Sequence, residues 1–233
     1  MTPELRSAVE KLYEVFAKYP LKNLEGCPCC VEQEELLYLS TTPLRLLEGK
    51  VIFNYGFEAM TTIGDELDFK HFLPRLFELL GRETRLWEPS QLAGKLTCAR
   101  WEKWTQQEVE AIEDFWTAYW QSKLLVRSGY PEIEDVFKSL LAFSPNPDRF
   151  LALCLEAEGK NALLNVTELI ITIGNRTGIY GKRFISEEAD AYIKKWLHKP
   201  DLKEKMEKAF FRFEKDESSA TFATAYDILS ALL

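Results

Sequence analysis

The run Thr105-Gln-Gln-Glu-Val-Glu-Ala-Ile-Glu-Asp-Phe-Trp-Thr-Ala-Tyr-Trp120 sets the class of this chain. Thr105 and Glu108 have the spacing of a capping box, in which each side chain serves the other residue's backbone amide and opens a helix. Behind the box, Val109, Ile112, Trp116, Tyr119 and Trp120 recur on one helical face. The same grammar extends downstream. Pro131 precedes Ile133, Val136, Phe137, Leu140 and Leu141; Asn146-Pro147 opens a segment that Gly159 is expected to close; Ser186 precedes Ala189, Tyr192, Ile193, Trp196 and Leu197. Asp201 and Glu204 form a second box, and the last segment, Ala220 to Leu233, is apolar enough to dock.

Upstream, Thr2-Pro3 starts a helix carrying Leu5, Val9, Leu12, Tyr13 and Phe16 as far as Pro20. A short apolar run, Leu36 to Leu39, and a helix-like stretch from Leu44 to Met60, interrupted by Gly49 and Gly56, follow. In His71-Phe-Leu-Pro-Arg75 the proline removes a helical donor, so a helix starting near Phe72 or Leu73, with Pro74 in its first turn, is expected. Val166 to Ile173 is β-branched and strand-like, but a single strand without a partner is hard to place, and helix is the reading adopted. The whole reads as all-α, an irregular multi-helix bundle or helical-pair array, in a single domain over 1–233 with a candidate subregion boundary at Arg127-Ser128-Gly129-Tyr130.

Composition limits the function. The 233 residues are 46% hydrophobic and 28% charged, with a formal net charge of -8. An acidic chain without a basic cluster lacks the means to displace counterions from phosphate, so no nucleic-acid partner is expected. The N-terminal MTPELRSAVEKLYEVF has none of the pattern of a signal peptide, and the most apolar stretch, Ala162 to Ile173, is interrupted by polar residues. A cytoplasmic protein with no membrane partner is the expectation, and its five cysteines are then thiols or metal ligands.

Three of those five stand together in Gly26-Cys27-Pro28-Cys29-Cys30. Cys27 and Cys30 have the C-x-x-C spacing that lets two thiolates face one ion, and Cys29 adds a third thiol. A tetrahedral zinc site needs four ligands, and no second C-x-x-C is present. His71, in Asp68-x-x-His71, is the candidate to complete a site for one zinc ion with Cys27 and Cys30; Cys29, Asp65 and Asp68 are further candidates. Thioredoxin-like chemistry is disfavoured, because no strand precedes the motif and Glu32, Glu34 and Glu35 oppose a thiolate. A di-iron site lacks its second Glu-x-x-His, and the Gly174 to Lys182 loop has Arg176 and Arg183 where a phosphate loop needs Gly and Ser or Thr. The tryptophans Trp87, Trp101, Trp104, Trp116 and Trp120 read as core.

Cys27-Pro-Cys-Cys30, Met60-Thr-Thr-Ile-Gly-Asp65 and Asp68-Phe-Lys-His71-Phe-Leu-Pro-Arg75 together resemble a family of uncharacterised bacterial proteins with a C-x-x-C loop, a T-x-G-D turn and an HFLPR-type motif. The resemblance covers roughly the first 80 residues. It implies a bacterial origin and implies that the cysteine loop and the His71 segment belong together; it carries no activity. No nucleophile signature is present and two histidines leave little for a triad. The first expectation is therefore a non-enzymatic protein acting through protein contacts. A zinc-binding protein using Cys27, Cys30 and His71 is the alternative, and an enzyme with a site scattered along the chain is the third.

Overall fold

In the computed structural model, residues 1–82, 88–127, 132–144, 147–175 and 187–232 are described. Among them the protein is all-α, with twelve α-helices and no strand. By contact the chain divides into two units, Met1–Tyr119 and Trp120–Leu233. The division falls inside a helix; residues 128–130 of the expected boundary lie outside the described residues.

The first unit begins with α1 (Pro3–Phe16), capped by the Thr2 hydroxyl, which accepts from the Leu5 amide at 3.2 Å. It buries Leu5, Val9, Leu12 and Phe16, and it packs on α4 (Glu66–Gly81). Between them lie α2 (Gln33–Thr41), a 3₁₀ turn at Leu44–Leu46, and α3 (Gly49–Glu58). The stretch Leu44 to Met60 is thus two elements, with Gly49 starting the second. After α4 come α5 (Pro89–Cys98), a 3₁₀ turn at Trp101–Lys103, and α6 (Gln106–Leu125), whose end belongs to the second unit.

Pro74 departs from its sequence reading. It sits in the middle of α4, because the helix starts six residues earlier than expected, at Glu66. Asp65 accepts from the Leu67 and Asp68 amides at 2.8 and 3.0 Å, and Asp68 accepts from the Asp65 amide at 3.0 Å. This reciprocal box anchors the first turn. Phe69, Phe72, Leu73, Leu76 and Phe77, all fully buried, hold the helix through the donor that proline lacks. Arg75 ties α4 to the end of the 3₁₀ turn, donating to the Leu47 carbonyl at 2.7 and 3.2 Å.

The second unit contains the end of α6, α7 (Ile133–Phe143), α8 (Asp148–Glu156), α9 (Lys160–Gly174), α10 (Glu187–Leu197), α11 (Pro200–Arg212) and α12 (Ser219–Leu232). The β-branched segment is helical: Ala162, Leu163, Val166, Leu169, Ile170 and Ile173 fall on a buried face of α9. Thr167 is accommodated there by donating to the Leu163 carbonyl four residues back, at 2.7 Å. Buried Asn165 answers the orphan carbonyls at the end of α6, donating to Leu124 and Val126 at 2.9 and 2.8 Å. Two boundaries differ from the sequence reading. Gly159, at φ +83°, precedes α9 instead of closing α8, and Lys199 with Pro200 starts α11 ahead of Asp201. No described helix is long and apolar enough to cross a membrane.

Trp101, Trp116 and Trp120 are core residues, as expected, and Trp104 is half-buried; Trp87 lies outside the described residues. The helix α12 packs on α9 and α11, closely enough that a Cβ at Gly174 would run into Ile228. Gly174→Ala should cost about 1–3 kcal/mol of stability through that overlap. Gly94→Ala, where a Cβ meets nothing within 4 Å, should instead gain about 0.5–1 kcal/mol. Thermal unfolding of the two variants checks the opposite signs.

Candidate functional site

The cysteine loop is built onto a turn between α3 and α4. The Thr61, Thr62 and Ile63 amides converge on the Glu58 carbonyl at 3.0, 3.0 and 3.1 Å, and Gly64 follows at φ +66°. A side chain at Gly64 would meet Asp68 Oδ2 at 2.7 Å, so the T-x-G-D pattern needs its glycine on two counts, conformation and space. The incoming chain pairs with this turn. Cys27 donates its amide to the Thr62 carbonyl at 2.7 Å, Gly64 donates to the Glu25 carbonyl at 2.8 Å, and Gly26 bridges Ile63. The Cys30 and Val31 amides then return to the Cys27 carbonyl, both at 3.0 Å, closing the loop in one turn.

That turn gathers the sulfurs. Cys27 and Cys29 Sγ are 3.1 Å apart and Cys29 and Cys30 Sγ 3.6 Å. Among the described residues, these three form the group of potential metal ligands whose donor atoms all lie within 4.8 Å of one another. Cys27 is half-buried, and Cys29 and Cys30 are exposed. Hydrogen bonds from the Cys29 thiol, the Cys29 amide and the Cys30 thiol hold the Cys27 thiol below its ordinary range. The neighbouring Cys29 and Cys27 sulfurs push the Cys30 thiol up to about 11. Cys98 is exposed and apart from the cluster, and Cys154 is buried, its thiol raised to about 12 by that burial.

His71, Asp65 and Asp68 do not stand in the sulfur group. The two aspartates serve the start of α4, and burial raises the Asp68 carboxyl above its usual range. They also line, with Asn23, Glu25, Thr61 and Thr62, a cleft of about 520 Å³ beside the loop. His71 is engaged at Nδ1, 2.8 Å from the Tyr19 carbonyl. A carbonyl can only accept, so Nδ1 carries the proton.

Tyr19 is the residue that sequence reasoning missed. Its hydroxyl donates to Glu108 Oε1 at 2.5 Å, so the segment leading from α1 into the cysteine loop is held at both ends of one residue. Glu108, read from the sequence as a helix cap, does accept from the Thr105 amide at 2.9 Å. It is also wholly buried, with Lys18 Nζ at 3.0 Å and Lys70 Nζ at 3.7 Å. Lys70 in turn lies 4.2 Å over the Trp104 ring and 3.3 Å from Glu66. The only sequence signal for this cluster is a capping glutamate close behind a tryptophan pair.

Comparison with protein-family models, curated proteins and solved structures finds no match to this chain.

Burial alone would raise the Glu108 carboxyl; hydrogen bonds from Tyr19, Lys18 and the Thr105 amide, with the charge of Lys70, outweigh it and bring it to about 2. A depressed carboxylate stabilises the fold above its unfolded value, near 4.5, and that contribution is lost as pH falls toward 2. The stake is on the order of 3 kcal/mol. Denaturant titrations from pH 6 to pH 2 should show stability falling on the acid side, and Glu108→Gln should be less stable at pH 6 and flatter across that window.

Proposed function

We propose that this protein binds one thiophilic metal ion, zinc in the first instance, through Cys27, Cys29 and Cys30. The observation that carries the reading is the mutual proximity of three thiols within one turn, all within 4.8 Å. A tetrahedron with zinc–sulfur bonds of about 2.3 Å has sulfur–sulfur edges of about 3.8 Å; the two edges to Cys29, 3.1 and 3.6 Å, need a small expansion to reach it, and the third lies within 4.8 Å. Hydrogen bonds from the Cys29 thiol and the Cys29 amide favour at Cys27 the thiolate that a metal requires. Three protein ligands leave a fourth position for water or for a ligand brought by a partner, which suits an ion that exchanges. Reduced thiols of this kind suit the cytoplasm.

His71 has a different part in this reading. By holding Tyr19 it positions the approach to the loop, and it stays outside the coordination sphere. The protein-contact reading has thinner support: Leu37, Leu46, Leu67, Leu125 and Phe211 are more than half exposed, but they stand at separate points of the chain.

Elemental analysis of protein purified without chelator or histidine tag tests the proposal. About one zinc per chain is expected, lost in Cys27→Ser and retained in His71→Ala. Metal-free wild-type protein that also takes up no added zinc would overturn it.

A further inference from the structure

The closest pair in the cluster is Cys27 and Cys29, at 3.1 Å, and not the C-x-x-C pair. That is a hydrogen-bonding separation, about 1 Å beyond a disulfide bond. Cys29 and Cys30 are exposed and Cys27 is half-buried, so a small dissolved oxidant reaches the cluster. The turn that holds them is closed by backbone bonds to the Cys27 carbonyl and pinned to Thr62, neither of which involves a sulfur. A bond between two of the sulfurs leaves that scaffold in place.

From this arrangement we infer that the site is oxidation-controlled: a peroxide links Cys27 to Cys29 and so removes two of the three metal ligands. The release of metal rests on the metal-site reading; the disulfide does not. A thiolate of the pair attacks one peroxide oxygen, the O–O bond breaks, and the departing hydroxide takes a proton to become water, leaving a sulfenic acid. The other sulfur of the pair then attacks the sulfenic sulfur. The S–S bond forms, the S–O bond breaks, and the hydroxide leaves with the second thiol's proton as a second water. Two electrons pass from the thiol pair to the peroxide. An ion left with Cys30 alone dissociates, and a dithiol reductant restores the site.

The test uses the full chain carrying Cys98→Ser, which removes the other exposed thiol, loaded with zinc and treated with equimolar hydrogen peroxide. Thiols are counted by Ellman's reagent, released zinc is read with a chromophoric chelator, and the linkage is mapped by non-reducing peptide mass spectrometry. The expected result is loss of two thiols per chain, a Cys27–Cys29 disulfide, release of the bound zinc, and reversal of all three by dithiothreitol. In the same background Cys29→Ser together with Cys30→Ser, which leaves Cys27 no resolving thiol, should accumulate a Cys27 sulfenic acid that dimedone traps. A Cys27–Cys30 linkage, direct conversion to sulfinic acid, or no thiol loss would overturn the disulfide. Zinc retained after the disulfide has formed would overturn the release. If the chain holds no zinc before peroxide is added, the metal reading fails on its own, and the thiol count and linkage map still decide the disulfide.

Discussion

A carboxylate with no exposure to water organises the first unit. Glu108 can be buried as an anion only because Tyr19, Lys18, Lys70 and the Thr105 amide surround it, and removing one partner of such a group leaves a charge uncompensated in the interior. Those partners come from the segment after α1, from α4 and from the start of α6. One ionised oxygen pair therefore fixes where three parts of the chain meet. It also fixes the path by which the chain leaves α1, because Tyr19, held by its hydroxyl to Glu108 and by its carbonyl to His71, is seven residues ahead of Gly26.

The cysteine loop inherits its geometry from that path. Its two neighbours are the pairing of residues 25–27 with 62–64 and the return of the Cys30 and Val31 amides to Cys27. Both are backbone interactions, so the three sulfurs are presented by a frame that does not itself depend on metal or on a disulfide. The T-x-G-D turn and the Asp65–Asp68 box then have a structural purpose: they make the surface on which the loop is laid and start the helix that carries His71.

The helical class was legible because it rests on periodicity and capping, which are local. The Glu108 cap on the Thr105 amide, the buried face of α10 and the start of α1 all follow from side-chain spacing, whereas α9 reads as a helix only because a lone strand has no partner. Pro74 was misplaced because a local penalty was set against a capping box and a buried face whose combined strength is not local. The cysteines were visible as residue types, but their grouping without His71 depends on how the chain folds back between residues 26 and 63. Glu108 was read correctly as a cap and incompletely as a residue, since its burial depends on Tyr19 and Lys70, far away in sequence.

The proposed metal is held by three thiolates and no histidine. X-ray absorption at the zinc edge of the loaded, reduced protein measures it directly. Three sulfur neighbours at about 2.3 Å and one oxygen or nitrogen at about 2.0–2.2 Å are expected, without the outer-shell scattering of an imidazole ring. Two sulfurs accompanied by imidazole scattering would contradict it, and would place His71 in the coordination sphere in place of one thiol.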